Sequence, residues 1–351
     1  MKHLDLAIRN LYAEFQESIF KRAQLERTSV QEETFVRKRV KGKEYWYKQS
    51  YVAGKAVQRY FGPANEANNQ MIARQREEKR ASQSFLRALL ADEQKRSAML
   101  RRGGLPHLDS ITARLIERCS ESLLIDEKGI LIGSHAFAAY SGTFGCLFDH
   151  HSLRTLDIDI VPDENIKAVA GKEIDLHLLL RVGDKTVRAI PGLSLKTPSS
   201  SFIGPAGIRI DFLTPLKGKP KGVVKAHGIL NAGTSPVRFL DFLVEEPVRS
   251  VLLGPRGGIP VTVPDPARFA VHKLIVSTCR PVTESAKRAK DIAQAAQLIL
   301  VLAEERPADL ASACREALKR GKKWKTAVLK GTHALPAEAA KKMKEICRLV
   351  V

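Results

Sequence analysis

TLDIDIVP, residues 155–162, alternates strictly: Leu156, Ile158 and Ile160 are apolar, while Asp157 and Asp159 fall between them. A period of two is the mark of a strand with one apolar face, so both carboxylates project from the opposite face of a sheet. Two like charges on one face repel, and a cation placed between them relieves the repulsion. Carboxylates with few other ligands suit Mg²⁺, which keeps several waters and takes further ligands from phosphates. Two aspartates alone would equally fit the exposed face of an edge strand, so the flanking sequence has to decide.

Upstream lies GILIGSHAFAAYSG, residues 129–142, in which an apolar strand (Gly129 to Ile132) meets Gly133-Ser134 and a helix begins at once. Glycine allows close backbone approach and Ser134 can cap the helix, whose free N–H groups and dipole favour an anion. Gly-Ser is also ordinary turn chemistry, so the segment acquires meaning only beside the aspartates. Downstream, GIRIDFLTP (residues 207–215) ends a second alternating strand on Asp211, between Ile210 and Phe212. Three carboxylates at neighbouring strand ends suit a two-metal site, in which one ion acidifies an attacking hydroxyl and the other clamps a triphosphate.

Gly-Ser, a helix carrying Ala136 and Tyr140, Asp-x-Asp on a strand and a lone Asp on a later strand together resemble the nucleotidyltransferases of the DNA polymerase β superfamily. That superfamily includes the kanamycin and lincosamide nucleotidyltransferases and the CCA-adding enzymes. The likeness is greatest to a group of bacterial nucleotidyltransferase-fold proteins. It extends through GKEYWYKQ and RYFGP upstream and through PVRFLDFLVEEP and PDPARFAVHKLIVSTCR downstream. The resemblance implies that Gly133 and Ser134 hold the β and γ phosphates of an NTP, that Asp157 and Asp159 bind two Mg²⁺ ions, and that Asp211 binds the catalytic ion and orients the acceptor. One departure is His135 after Ser134, where polymerases commonly carry a second small residue.

From Pro266 onward the pattern is helical, with AVHKLIVS and DIAQAAQLILVLAEE as amphipathic runs. Lys273 and Arg280 are seven apart and share a helical face, and Lys287 and Asp291 are four apart on the next helix. In related nucleotidyltransferases the basic residues of such a helix reach the triphosphate, which makes Lys273, Arg280 and Lys287 the expected nucleotide-binding cations. A surface ion pair between Lys287 and Asp291 fits the spacing equally well. Asp149-His150-His151 lacks the spacing to converge on one metal ion, and Gly254 to Gly258 lacks the Lys-Ser/Thr of a P-loop and is expected as a hairpin turn.

The charge of the chain is uneven. Phe20 to Arg102 holds 20 Lys/Arg against 9 Asp/Glu, and Cys314 to the end holds 11 against 3, whereas the whole chain carries a net +20. The excess therefore sits on two flanks around a nearly neutral centre, an arrangement able to hold a polyanion or simply to be solvated. In the first flank, TFVRKRVKGKEYWYKQSYVAGKAVQRYFGP alternates like an antiparallel meander. Its Tyr45, Trp46, Tyr47, Tyr51, Tyr60 and Phe61 are interleaved with cations, as in surfaces that stack bases. Ala64 to Arg102 contains neither Gly nor Pro and predicts a long helix or helical hairpin, a dimerisation arm or a nucleic-acid arm. Lys217 to Lys225 is a further basic stretch, placed to guide an acceptor past the metals.

No run approaches the ~18 apolar residues of a membrane span, the N-terminus predicts an amphipathic helix rather than a signal peptide, and five scattered cysteines imply neither a disulfide framework nor a zinc ribbon. The expected location is the cytoplasm. The expected fold is an α/β (α+β) nucleotidyltransferase fold (103–265) with a C-terminal helical domain (266–351) and an N-terminal extension of helix and basic β-meander (1–62) and long helical arm (63–102). The expected activity is Mg²⁺-dependent transfer of an NMP from an NTP to a hydroxyl, with RNA or a tRNA end favoured as acceptor. A protein side chain is the alternative acceptor, and a catalytically silent nucleotide- or nucleic-acid-binding module is the alternative class. The 64–102 helix is a candidate surface for a homo-oligomer.

Overall fold

The computed structural model describes residues 2–29, 34–52, 55–121, 129–153, 155–162, 175–191, 198–216, 218, 225–227 and 232–348. A short strand β1 (Lys2–His3) leads into helix α1 (Leu6–Ser29). The alternating basic segment forms β2 (Thr34–Val40), β3 (Lys43–Val52) and β4 (Lys55–Pro63), a three-stranded antiparallel sheet in the order β2-β3-β4. Asn65 then caps one unbroken helix, α2 (Glu66–Arg102), by accepting from the Asn68 N–H at 2.9 Å. With 37 residues and no internal Gly or Pro, α2 runs about 55 Å. Of the two forms expected for this segment, the single helix is the one found.

After α2 the chain enters a mixed α/β body. Asp109 accepts from the N–H groups of Ile111 and Thr112 at the start of α3 (Ser110–Glu121). Next come β5 (Gly129–Ile132), α4 (Gly133–Thr143), β6 (Cys146–Leu147), α5 (His150–Leu153), β7 (Asp157–Pro162), α6 (Leu176–Gly183), β8 (Arg188–Ala189) and β9 (Ser201–Ile203). They are followed by β10 (Arg209–Pro215), β11 (Lys225–His227), β12 (Ala232–Val237), α7 (Leu240–Leu243), β13 (Val248–Gly254) and β14 (Gly257–Val263). The last two strands form the hairpin expected at Gly254 to Gly258. Five helices complete the described chain: α8 (Pro266–Cys279), α9 (Ser285–Glu305), α10 (Pro307–Lys319), α11 (Lys322–His333) and α12 (Ala337–Cys347). Among the described residues no helix is long and apolar enough to cross a membrane.

The central sheet has the path β11-β12-β10-β7-β5, with β9 on the first half of β10 and β8 on β9. One face of β7 and β10 buries Ile158, Ile160, Ile210 and Phe212. The same core continues through Phe137 and Tyr140 of α4 into Phe269 of α8 and Leu298 of α9, so the sheet and the C-terminal helices share one apolar interior. Two contacts fix α8 against α4: the Tyr140 and Phe269 rings meet edge to face at 5.4 Å, and the Tyr140 hydroxyl donates to the Pro264 carbonyl at 2.8 Å. On its other side α8 is held by Arg268, which is buried and ion-paired with Glu245, Glu246 and Glu316.

A second, smaller core joins α1 and the end of α2 to the β13–β14 hairpin through Tyr12, Phe15, Ile19, Leu100, Val251 and Leu253. Glu93 of α2 is fully buried there and pairs with Arg22 of α1 at 2.9 Å, while Arg22 also donates to the Gly258 carbonyl. Removing one partner of such a pair strands the other charge away from water. Glu93→Ala should therefore lower the unfolding free energy by about 3 kcal/mol, measured by urea titration. A loss within error of zero would mean that Arg22 is solvated as well without its partner as with it.

Candidate active site

Register brings the distant motifs together. In the parallel pair β7–β10, Asp159 lies opposite Asp211 and Asp157 opposite Arg209; in the antiparallel pair β5–β7, Asp159 lies opposite Ile132. Asp159 therefore has Asp211 on one side and the Gly133 turn on the other, at the ~4.8 Å spacing of neighbouring strands. Gly133 has φ +69°, and a Cβ there would stand 2.5 Å from Asp159 Oδ2. Both the backbone conformation and the carboxylate thus require glycine.

The carboxylates differ in their surroundings. Asp157 is exposed, and its N–H donates to Thr155 Oγ1 at 3.1 Å. Asp211 accepts from Arg209 Nε at 3.0 Å and from the Ser201 hydroxyl. Asp159 is the one under strain. Burial, followed by the charges of Asp211 and Asp157, pushes its carboxyl up to about 6, against the opposing pull of Lys273 and Lys287. Among the described residues no three His, Cys, Asp or Glu side chains are gathered tightly enough to hold a metal as they stand. The donors nevertheless fit a hard divalent cation: all are carboxylate oxygens, and the negative charge at Asp159 is incompletely compensated.

Ser134 does not cap the helix as its sequence position suggested. Helix α4 begins on Gly133 after Ile132, with no side-chain cap, and Ser134 is buried in the first turn, where its hydroxyl accepts from Gln294 Nε2 of α9 at 3.4 Å. Gln294 also donates to the Ser152 carbonyl at 2.8 Å, so α9 is fastened to the start of α4. Among the described residues no side chain caps the first turn of α4. His135, next in the turn, is buried with Nε2 unpartnered, and burial pushes its pKa down to about 4, leaving the ring neutral.

The facing wall comes from α8 and α9. Lys273 Nζ donates to Asp291 Oδ1 at 2.7 Å and Arg280 Nε to Asp291 Oδ2 at 3.0 Å, while Arg280 also pairs with Glu284. The sequence spacing suggested Lys287 as the partner of Asp291; instead the buried carboxylate is taken by Lys273 of α8 and by Arg280, the extended residue that follows that helix. Burial would raise the Asp291 carboxyl, but Lys273 and Arg280 together hold it below its ordinary value. Lys287 is exposed, and its charge is felt at Asp159. Lys290, which the motifs did not single out, is half-buried. Its ammonium is pushed down by burial and by Lys273, while Asp157, Asp291 and Asp159 pull the other way. The signal was present in the sequence as the spacing Lys287, Lys290, Gln294, one face of a helix.

Other expectations fall elsewhere. Asp149-His150-His151 leads into the short helix α5. Of the basic stretch Lys217 to Lys225, residues 217 and 219–224 lie outside the described chain.

Because the folded pKa of Asp159 is raised, its neutral form is the one the fold favours. Its contribution to stability is full below the unfolded pKa of ~3.9 and is lost as pH rises through about 6. In metal-free buffer Asp159→Asn should thus be more stable than the wild type at pH 7.5 by on the order of 1–3 kcal/mol. That advantage should shrink to near zero at pH 4. Denaturation curves of both proteins at the two pH values check this, and a pH-independent difference would remove the assignment.

A family model described as Nucleotidyltransferase matches residues 110–319, from the start of α3 to the end of α10. No curated protein and no solved structure matches the chain. The match covers more than half of the sequence and contains the Gly133 turn, all three aspartates and the α8–α9 wall. Sheet, turn and cationic wall thus lie within one matched unit, and the chain belongs to the nucleotidyltransferase family.

Proposed function

We propose that the protein transfers an NMP from an NTP to a hydroxyl group in a Mg²⁺-dependent reaction, with RNA, and tRNA ends in particular, as the acceptor. The observation that carries this reading is the position of Asp159, flanked in register by Asp211 and against the Gly133 turn, with Lys273 and Lys287 acting on it from the facing helices. Asp157, Asp159 and Asp211 would hold two Mg²⁺ ions, which when bound would acidify the attacking hydroxyl and offset charge on the triphosphate.

The chain's own groups divide the remaining work. The uncapped N–H groups at Gly133-Ser134 bind the β and γ phosphates, with the helix dipole behind them. Lys287 and Lys290 place positive charge where negative charge grows on the leaving group. Lys273 adds its field from its bond to Asp291, and Arg280 fixes Asp291 from the other side. The acceptor oxygen bonds to the α-phosphorus, the bond from that phosphorus to the bridging oxygen breaks, and pyrophosphate leaves with the electron pair. Asp211 orients the acceptor and takes its hydroxyl proton. The basic flanks support RNA as acceptor, since neutralising a phosphate backbone needs many cations.

Incubating the protein with each α-labelled NTP, Mg²⁺ and either total RNA or total protein should label RNA and release pyrophosphate. Labelled protein instead would move the acceptor to a side chain. Asp157→Asn and Asp159→Asn should each lower turnover by on the order of 100-fold or more. Lys290→Ala should raise KM for NTP and lower kcat together, because its charge acts before and during departure of pyrophosphate. NTP binding without pyrophosphate release, across all four NTPs and both acceptor pools, would reject catalysis in favour of a binding module.

A further inference from the structure

The β2–β4 sheet has two unlike faces. One packs on α2: Trp46 is buried and donates from Nε1 to Asn69 Oδ1 at 2.8 Å, the Arg76 guanidinium lies 5.0 Å over the Trp46 ring, and Arg76 donates to the Phe35 carbonyl. Phe35 and Phe61 meet edge to face on the same side, at 5.0 Å. The opposite face, turned away from α2, carries Tyr45, Tyr47 and Tyr60. Tyr60 contacts Tyr45 and Tyr47 at ring-centroid distances of 5.9 and 5.8 Å and remains 59% exposed. Register puts Lys38 opposite Tyr45 and Lys43 opposite Val40, so both lysines share the tyrosine face, and the Lys38 ammonium lies 5.3 Å from the Tyr47 ring. From Thr34 to Pro63 there are eight Lys/Arg and a single acid, Glu44, which Arg37 takes as an ion-pair partner.

We infer that this outer face is a platform for single-stranded nucleic acid, whose bases stack on the tyrosines while its phosphates meet Lys38 and Lys43. The argument is one of complementarity. Three outward rings in contact, with Tyr60 inclined by 56° to Tyr45 and by 79° to Tyr47, offer separate aromatic faces on which bases can stack, and the surrounding charge selects a partner that is itself anionic. An acidic peptide supplies the charge without the flat rings. A duplex keeps its bases stacked inside, out of reach of the tyrosines. A single strand offers both, and every base has a face to stack whatever its sequence. The platform extends the reading above, in which RNA is the acceptor, because it gives that acceptor a holding site on an element separate from the aspartates. The binding itself requires neither NTP nor Mg²⁺.

The test is fluorescence anisotropy with a labelled RNA of about 12 nucleotides, a length within the span of one small binding module, using the full chain without NTP or metal. The probes are this RNA, its duplex, single-stranded DNA of the same sequence and vesicles of phosphatidylserine and phosphatidylcholine. Tyr60→Ala should weaken RNA binding about tenfold, as expected for losing one stacked base, and Tyr60→Phe should restore it. Lys38→Ala and Lys43→Ala should each reduce the salt slope by roughly 0.7, the value for one phosphate contact of a single strand. Tyr60 is exposed, so its variants should melt with the wild type, which separates a binding defect from unfolding. Equal binding of single-stranded DNA would support the platform as one that does not use the 2′-hydroxyl. Unchanged RNA affinity in Tyr60→Ala, or equal affinity for duplex or vesicles, would overturn it. Asp159→Asn should bind RNA as the wild type does; a protein that transfers NMP but is indifferent to Tyr60 would lose the platform and keep its activity.

Discussion

The repulsion gathered at Asp159 organises the candidate site. Its carboxylate stands between Asp211 and the Gly133 turn, on a sheet whose other face buries Ile158, Ile160, Ile210 and Phe212, and burial together with Asp211 and Asp157 disfavours its charge. The fold answers with cations on a separate layer. Lys273, Lys287 and Lys290 come from α8 and α9, and those helices are fixed against the sheet by packing rather than by the charges themselves. The edge-to-face contact of Phe269 with Tyr140 and the bond from Tyr140 to Pro264 set where α8 lies, and Gln294 fastens α9 to the Gly133 turn. The site is thus an electrostatic balance held open by an apolar frame.

Local periodicity carried much of this into the sequence. The alternation around Asp157 and Asp159 depends only on strand geometry, and the structure has both on one face. The strand-to-helix turn at Gly133 is equally local. The pairing of Asp159 with Asp211 is not, because register across more than fifty residues is set by how whole strands pack. Lys273 and Arg280 do not share a helical face, because α8 ends at Cys279 and Arg280 is extended, yet the two meet on Asp291. Burying that carboxylate without partners would be costly, and a cation of α8 together with one just past its end outcompetes an exposed lysine one turn away. Ser134 does not cap α4 for a similar reason: its hydroxyl has a tertiary partner in Gln294, which no local rule anticipates.

The N-terminal elements show the same division. Alternation in β2–β4 separates Trp46 and Phe61 from Tyr45, Tyr47 and Tyr60, although only the structure shows which set meets α2. The packing of α2 onto α1 and the β13–β14 hairpin is completed by a buried ion pair that charge patterning in the sequence does not reveal.

Helix α2 also acts as a ruler. Its buried positions fall at the two ends, Ile72 beneath the small sheet and Glu93, Ser97 and Leu100 against the body, with a long solvated shaft between. Each residue of that shaft contributes about 1.5 Å of length and about 100° of rotation. Inserting one residue would swing the tyrosine face by more than a quarter turn while hardly lengthening the helix. Inserting seven would lengthen it by about 10 Å and leave the heading nearly unchanged. Homologous chains with longer or shorter shafts should therefore differ by near-integral numbers of helical turns, a constraint on evolutionary drift in a segment whose individual side chains touch little.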